Sequence, residues 1–233
     1  MDGMQVAFLH VGHDLVCPTI LVRSLRAHNS SATILQCSDS STPQIGGIDE
    51  VQRFKGDVAN LMTFRLSCFS RLQIDAPTIF LDTDMICLQS LDLPEILHDN
   101  DVAVCRRQFD TKRLIEINLN EMKLTEYSGK TLGQVYPYLA CATVARSSDF
   151  WTDCLQNLLQ LDPKFHFWYG DQEAIRNVVA SKKYKTTMLP ESIYACLPEV
   201  QPLYGNVVKL LHFKGPDRMK MMIDQAKKMG FLS

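Results

Sequence analysis

The segment Ile79-Phe80-Leu81 is apolar at every position and closes abruptly on Asp82-Thr83-Asp84. A strand without polar alternation is covered on both faces, the habit of a largely parallel sheet packed between helices. Ligands of such sheets bind beyond the carboxyl ends of the strands, and here two carboxylates stand at one such end. In extended chain, residues i and i+2 project the same way, so Asp82 and Asp84 are expected to close on one hard divalent cation. Carboxylate oxygens suit Mg²⁺ or Mn²⁺, and these ions hold the oxygens of a diphosphate. A later apolar run, 207–211, ends in His212 and then Phe213-Lys214-Gly215-Pro216. It offers a third ligand and a phosphate-binding turn, since glycine lets backbone approach closely and lysine adds charge.

The pattern around these segments predicts alternating strands and helices. Strands are expected over 6–11, 32–37, 50–54, 79–81 and 101–105, with helices over 18–28 and 58–72; Leu61, Met62, Arg65, Leu66, Phe69 and Leu72 follow the helical period. This predicts one α/β domain over 1–233 with a mixed, mostly parallel central sheet flanked by helices. Residues 106–136 read as a polar, weakly helical insertion over the site, with acceptor-binding or lid residues. Beyond it come a strand over 138–144, a helix over 148–161 capped by Ser147 or Ser148, and a helix over 172–180 with Asp171 as its N-cap. Strands over 188–197 and 207–211 and a C-terminal helical segment, 217–233, complete the chain.

Composition narrows the function classes. The chain has 233 residues, 46% hydrophobic and 21% charged, with a net charge of −2. That balance supplies no global basic field for a nucleic-acid backbone. The eight cysteines include no Cys-x-x-Cys pair, and several lie in apolar runs. They are expected as free core thiols in a reducing compartment. The N-terminus lacks a basic leader region and no stretch approaches the roughly 20 apolar residues of a membrane span, so a soluble, cytoplasmic protein is expected.

Apolar strand plus Asp82-x-Asp84, Asp171-Gln172 before a helix, and His212-Phe213-x-Gly215-x-x-Arg218 together resemble the GT-A-fold glycosyltransferases of family 8, the glycogenin and bacterial lipopolysaccharide galactosyltransferase group. The likeness runs from about Val6 to Met219. It implies a GT-A, nucleotide-diphospho-sugar transferase fold and an enzyme moving a sugar from a nucleotide-sugar, UDP-linked, to a carbohydrate, lipid-linked or protein acceptor, with retention. It implies that Asp82, Asp84 and His212 bind Mn²⁺ (or Mg²⁺), which stabilises the departing diphosphate as a Lewis acid. It assigns His10, Val11, Arg65 and Thr83 to the donor, and Lys214, Gly215 and Arg218 to its phosphates. Arg218 stands where the family usually carries lysine, changing a point donor to a planar fork. Asp171 would hold donor hydroxyls and Gln172 would face the reacting carbon.

Each residue also has a plainer reading. Asp82 and Asp84 suit a polar turn closing a strand, His212 a satisfied strand-end histidine, Arg65 a salt-bridged helix residue, and Asp171 a helix cap. Trp151 reads as core packing, whereas Trp168-Tyr169 is the better acceptor-site candidate. One departure stands out: Ala140-Cys141-Ala142 replaces the Asn-Ser-Gly that usually contacts the donor sugar. The terminal helix carries Met219, Met222, Ile223, Ala226 and Met229 on one stripe, which predicts docking on the core. The strand-end motif also resembles the nucleophile strand of haloacid-dehalogenase-type phosphohydrolases, although that class begins its domain with it. A non-catalytic nucleotide-sugar binder is the third reading.

Overall fold

The computed structural model describes residues 4–119 and 122–232. Its first half alternates strands and helices: β1 (Gln5–Leu9), α1 (Val16–His28), β2 (Thr33–Ser38), β3 (Glu50–Arg53), α2 (Leu61–Arg71), β4 (Thr78–Leu81), β5 (Met85–Cys87), α3 (Leu93–Leu97) and β6 (Val102–Arg106). The second half holds β7 (Asn118–Leu119), β8 (Met122–Lys123), α4 (Leu132–Val135), β9 (Tyr138–Ala145), α5 (Asp149–Leu159), α6 (Lys164–Phe167) and α7 (Gly170–Ala180). It continues through β10 (Thr186–Pro190), α8 (Glu191–Tyr194), α9 (Gln201–Tyr204), β11 (Leu210–His212) and α10 (Arg218–Lys228).

Seven strands form one sheet in the order β10-β6-β9-β4-β1-β2-β3. All neighbours run parallel except at β9, which is antiparallel to both β4 and β6. This is the expected mixed, mostly parallel sheet. Ile79, Phe80 and Leu81 on β4 are buried from both sides. Phe80 packs on Phe69 of α2 and Trp151 of α5, with ring centroids 4.8 and 5.0 Å away. Such contacts add about 1 kcal/mol each to the burial of the rings. They hold α2 and α5 against one face, while α1 and α3 carry Leu21, Leu25, Leu93 and Leu97 into the core on the other.

A second sheet pairs only β5 with β11, antiparallel, with His212 opposite Met85. Behind it lies a separate apolar cluster of Ile20, Ile86, Val208, Leu211, Phe213, Met222 and Ala226. Met222 and Ala226 of α10 dock there fully buried with Ile223 partly so, whereas Met219 and Met229 of the expected stripe stay exposed. Trp151 is likewise fully buried, and all eight cysteines are free, seven of them buried. No helix among the described residues is long and apolar enough to cross a membrane.

Several expected elements end differently. The strand over 188–197 stops at Pro190, which lacks an N–H for a further ladder bond. The next residue, Glu191, takes its carboxylate inside to accept from the Gln108 and Phe109 N–H groups, turning the chain into a single helical turn. The strand expected from 207 begins only at Leu210, because Gly205–Val207 form a 3₁₀ turn. The insertion is not helical over most of its length: it contains the short β7–β8 ladder, a 3₁₀ turn over Thr125–Tyr127, and α4. Finally, α7 starts at Gly170 with Tyr169 as N-cap, so Asp171 lies inside the first turn.

Candidate functional site

Asp82 follows the last residue of β4 and Asp84 precedes the first of β5, so the pair sits in the bend between the two sheets and not on a strand. The two-residue period is therefore not what orients them. Each aspartate is tied to a different sheet. The Asp82 N–H donates to the Cys141 carbonyl of β9 at 3.0 Å, and the Phe213 N–H donates to the Asp84 carbonyl at 3.0 Å. His212 ends β11, and its N–H donates to the Cys196 carbonyl at 2.8 Å. Strand register and bend together bring one ligand atom each of Asp82, Asp84 and His212 within 4.8 Å of one another.

The donor set fits a hard or borderline divalent ion, for which opposite ligands of an octahedron are about 4.2 Å apart. Asp84 Oδ1 is buried without a hydrogen-bond partner, 3.5 Å from His212 Nε2, and His212 Nδ1 is similarly unpartnered. Arg218 Nε approaches the other Asp84 oxygen at 3.5 Å. Burial pushes the Asp84 carboxyl up, but the His212 imidazole and Arg218 guanidinium outweigh it and hold the group below its ordinary value. For His212, burial opposes the charged form, while Cys141 and Asp84 beside it raise its pKa. Asp84 is the effective partner at neutral pH, because Cys105 and burial keep the Cys141 thiol protonated. Cationic neighbours thus already balance the acidic pair, as a bound divalent ion would.

Arg65 extends the cluster. From the buried face of α2 its guanidinium reaches Asp82 Oδ1 at 2.7 Å, Asp171 Oδ2 at 3.1 Å and the Ala140 carbonyl at 2.8 Å. Burial disfavours its charge, but Asp82 and Asp171 more than compensate. Burial raises the Asp171 carboxyl against the pull of Arg65. The other Asp171 oxygen accepts from the Gln172 N–H at 2.7 Å. Buried ion pairs of this kind contribute little net stability but fix geometry.

A cavity of about 470 Å³ opens on these groups and collects Asp82, Asp84, Arg65, Asp171, Gln172 and His212 with Lys214, Gly215 and Arg218. Gly215 has φ +87°, a backbone that glycine adopts readily, and a Cβ built there would meet no atom within 4 Å. His10, Val11 and Thr83 are outside this lining. His10 and Val11 follow β1, the strand beside β4. A second hollow of about 380 Å³ lies at the far end of β6, but Lys183 there already pairs with Asp153 and Arg146 with main-chain carbonyls.

Three contributors escaped the sequence reading. Arg107, just past β6, donates to Gln172 Oε1 at 3.0 Å. The rule that ligands bind beyond strand ends was signal enough to single it out. Glu191, fully buried, takes Lys214 Nζ at 2.7 Å on one oxygen and the Gln108 and Phe109 N–H groups at 2.6 and 2.8 Å on the other. Nothing local marks it. Gly170 lies so close to α6 that a Cβ would sit 1.9 Å from the Phe165 carbonyl oxygen. The replaced segment is engaged too, because the Ala140 and Cys141 carbonyls hold Arg65 and Asp82.

No family profile matches the chain, and no curated protein matches it in sequence. Among solved structures, the galactosyltransferase LgtC, in complex with donor and acceptor sugar analogues, is similar with a TM-score of 0.57 at 12% identity. The match covers 97% of this chain and 96% of that one. It is a likeness of fold: this chain has the α/β fold of a GT-A glycosyltransferase.

Proposed function

We propose that the protein is a metal-dependent glycosyltransferase of the family 8 kind, moving a sugar from a UDP-sugar to an acceptor with retention. One observation carries the reading: Asp82, Asp84 and His212 converge at the seam of two sheets, in the same cavity as Asp171-Gln172 and the Lys214-Gly215 turn. The likeness of fold to a galactosyltransferase supports it. Asp82, Asp84 and His212 would hold Mn²⁺ or Mg²⁺, which when bound supplies Lewis acidity to a diphosphate leaving group. Lys214 and Arg218 place positive charge beside the Gly215 backbone, where a phosphate approaches without steric hindrance. Arg65 holds Asp171 so that its remaining lone pairs accept donor hydroxyls, and Arg107 holds the Gln172 amide toward the reacting carbon. His10, Val11 and Thr83 are assigned to the donor by family resemblance alone.

The test is calorimetric titration with UDP in the presence and absence of Mn²⁺. Binding is expected only with the metal, and to vanish in Asp84→Ala; metal-independent UDP binding sinks the proposal. Release of phosphate from an aryl phosphate would instead identify a hydrolase. Metal-dependent binding of a UDP-sugar without slow hydrolysis in the absence of acceptor would identify a binding protein.

A further inference from the structure

The cavity also carries a cationic wall whose charge the proposed chemistry leaves unused. Arg107 is half-buried there. Its Nε donates to the Tyr136 carbonyl at 2.8 Å and its Nη2 to Gln172 Oε1 at 3.0 Å, both neutral acceptors. Among the described residues no carboxylate lies within 4.0 Å of this guanidinium. Arg113 lines the same cavity, and its Glu116 partner at 3.3 Å forms a surface pair with both side chains more than half exposed. Such a pair dissolves at little cost. Asp110, the one carboxylate of this wall, is within 4.0 Å of neither arginine.

Both arginines line the cavity together with Tyr169, whose pKa burial raises; the charges of Arg107 and Arg113 oppose that rise and the Glu116 carboxylate adds to it. Tyr169 itself is fixed, stacked on Tyr136 with centroids 4.7 Å apart and planes at 14°. Beside it Trp168 is 38% exposed and offers an apolar face to a sugar ring. A half-buried guanidinium whose hydrogen bonds are partly met but whose charge is not is stabilised by an incoming anion.

Resting on the sugar-transfer reading, we infer that this wall recognises a carboxylate or phosphate on one of the two sugars meeting in the cavity. The ring lies against Trp168 and Tyr169, and the anion is taken by Arg107 and Arg113. The segment Ala140-Cys141-Ala142 agrees with this, since it presents no hydroxyl or amide side chain and two of its carbonyls are engaged. Recognition of the anion therefore falls to the arginines, while Asp171 takes the hydroxyls.

Titration calorimetry in Mn²⁺ decides the matter in two arms. One compares UDP-glucuronate with UDP-glucose; the other, at saturating UDP, compares glucuronate and glucose 6-phosphate with glucose. The anionic ligand is expected to bind about tenfold tighter than its neutral counterpart in one arm, which names the sugar that carries the charge. Added salt should weaken that preference. Arg107→Gln should erase it, and Arg113→Gln, at an exposed position that does not threaten folding, should reduce it severalfold with UDP affinity unchanged. Equal binding of anionic and neutral ligands in both arms, no binding of either while UDP still binds, or a preference that survives both variants overturns the inference. Loss of UDP binding itself counts against sugar transfer instead.

Discussion

The two walls of the cavity are held in opposite ways. On the acidic side, Asp82, Asp84 and His212 each sit at a strand end and are secured by main-chain hydrogen bonds of the sheets. On the other, the anchors are side chains that cross long stretches of sequence. Arg65 reaches Asp171 over 106 residues, Arg107 reaches Gln172 over 65, and Glu191 reaches Gln108 over 83. The difference teaches that this fold makes the candidate ion-binding corner as a by-product of strand register and the bend between the sheets. The substrate wall is assembled by long-range side-chain contacts and is tied to that corner through Arg65, which pairs with both Asp82 and Asp171.

The largest effect expected of that division is in Asp84→Ala. It should abolish metal-dependent UDP binding, a loss of about a hundredfold or more, while circular dichroism and the melting temperature stay near those of the parent. A collapse of the fold would mean that the corner is not separable from the sheets. Glu191→Ala tests a residue that links the Lys214 turn to the insertion. It leaves Lys214 without its partner and two part-buried N–H groups without their acceptor, a cost of about 3 kcal/mol. For a chain of this size, that is a fall in melting temperature of roughly 6–12 °C. Weaker UDP binding should accompany it, and a variant as stable as the parent would remove Glu191 from the account.

Gly170→Ala sharpens the contrast from the substrate side. Its Cβ would meet the Phe165 oxygen at 1.9 Å, so the start of α7 must shift at a cost of about 1–3 kcal/mol. Transfer should suffer more than UDP affinity, because Asp171 and Gln172 move while the metal corner does not; equal losses in both would break the distinction. The smallest effect is expected for Gly215→Ala, where no atom blocks a Cβ and only the positive φ resists it. About 1 kcal/mol of strain should weaken UDP binding roughly fivefold, measurable by the same titration.

Much of the acidic side was legible because its cause is local. An apolar run that ends in carboxylates is a strand end in a covered sheet, and the order of such runs carried the α/β architecture through β6, without β5 and α3, and again at β9. Even there the reason was only partly right, since Asp82 and Asp84 are joined by a bend between sheets rather than by strand periodicity. On the substrate side the reading failed where long-range contacts decide local structure. Residues 188–197 look extended, yet Pro190 and the buried Glu191 carboxylate turn the chain. Asp171 looks like a helix cap, yet Gly170 starts α7 earlier by packing on Phe165.

By itself the sequence determined the layering of the chain and the candidates for an ion and a diphosphate, because apolar periodicity and strand-end chemistry act over a few residues. Only the tertiary structure decided that Asp84 faces His212 at the seam of two sheets, that Glu191 links Lys214 to the insertion, and that Arg107 stands beside Gln172 without a counter-charge among the described residues. Those relations depend on distances between segments far apart in the chain. No local pattern records such distances, because packing of the whole core sets them.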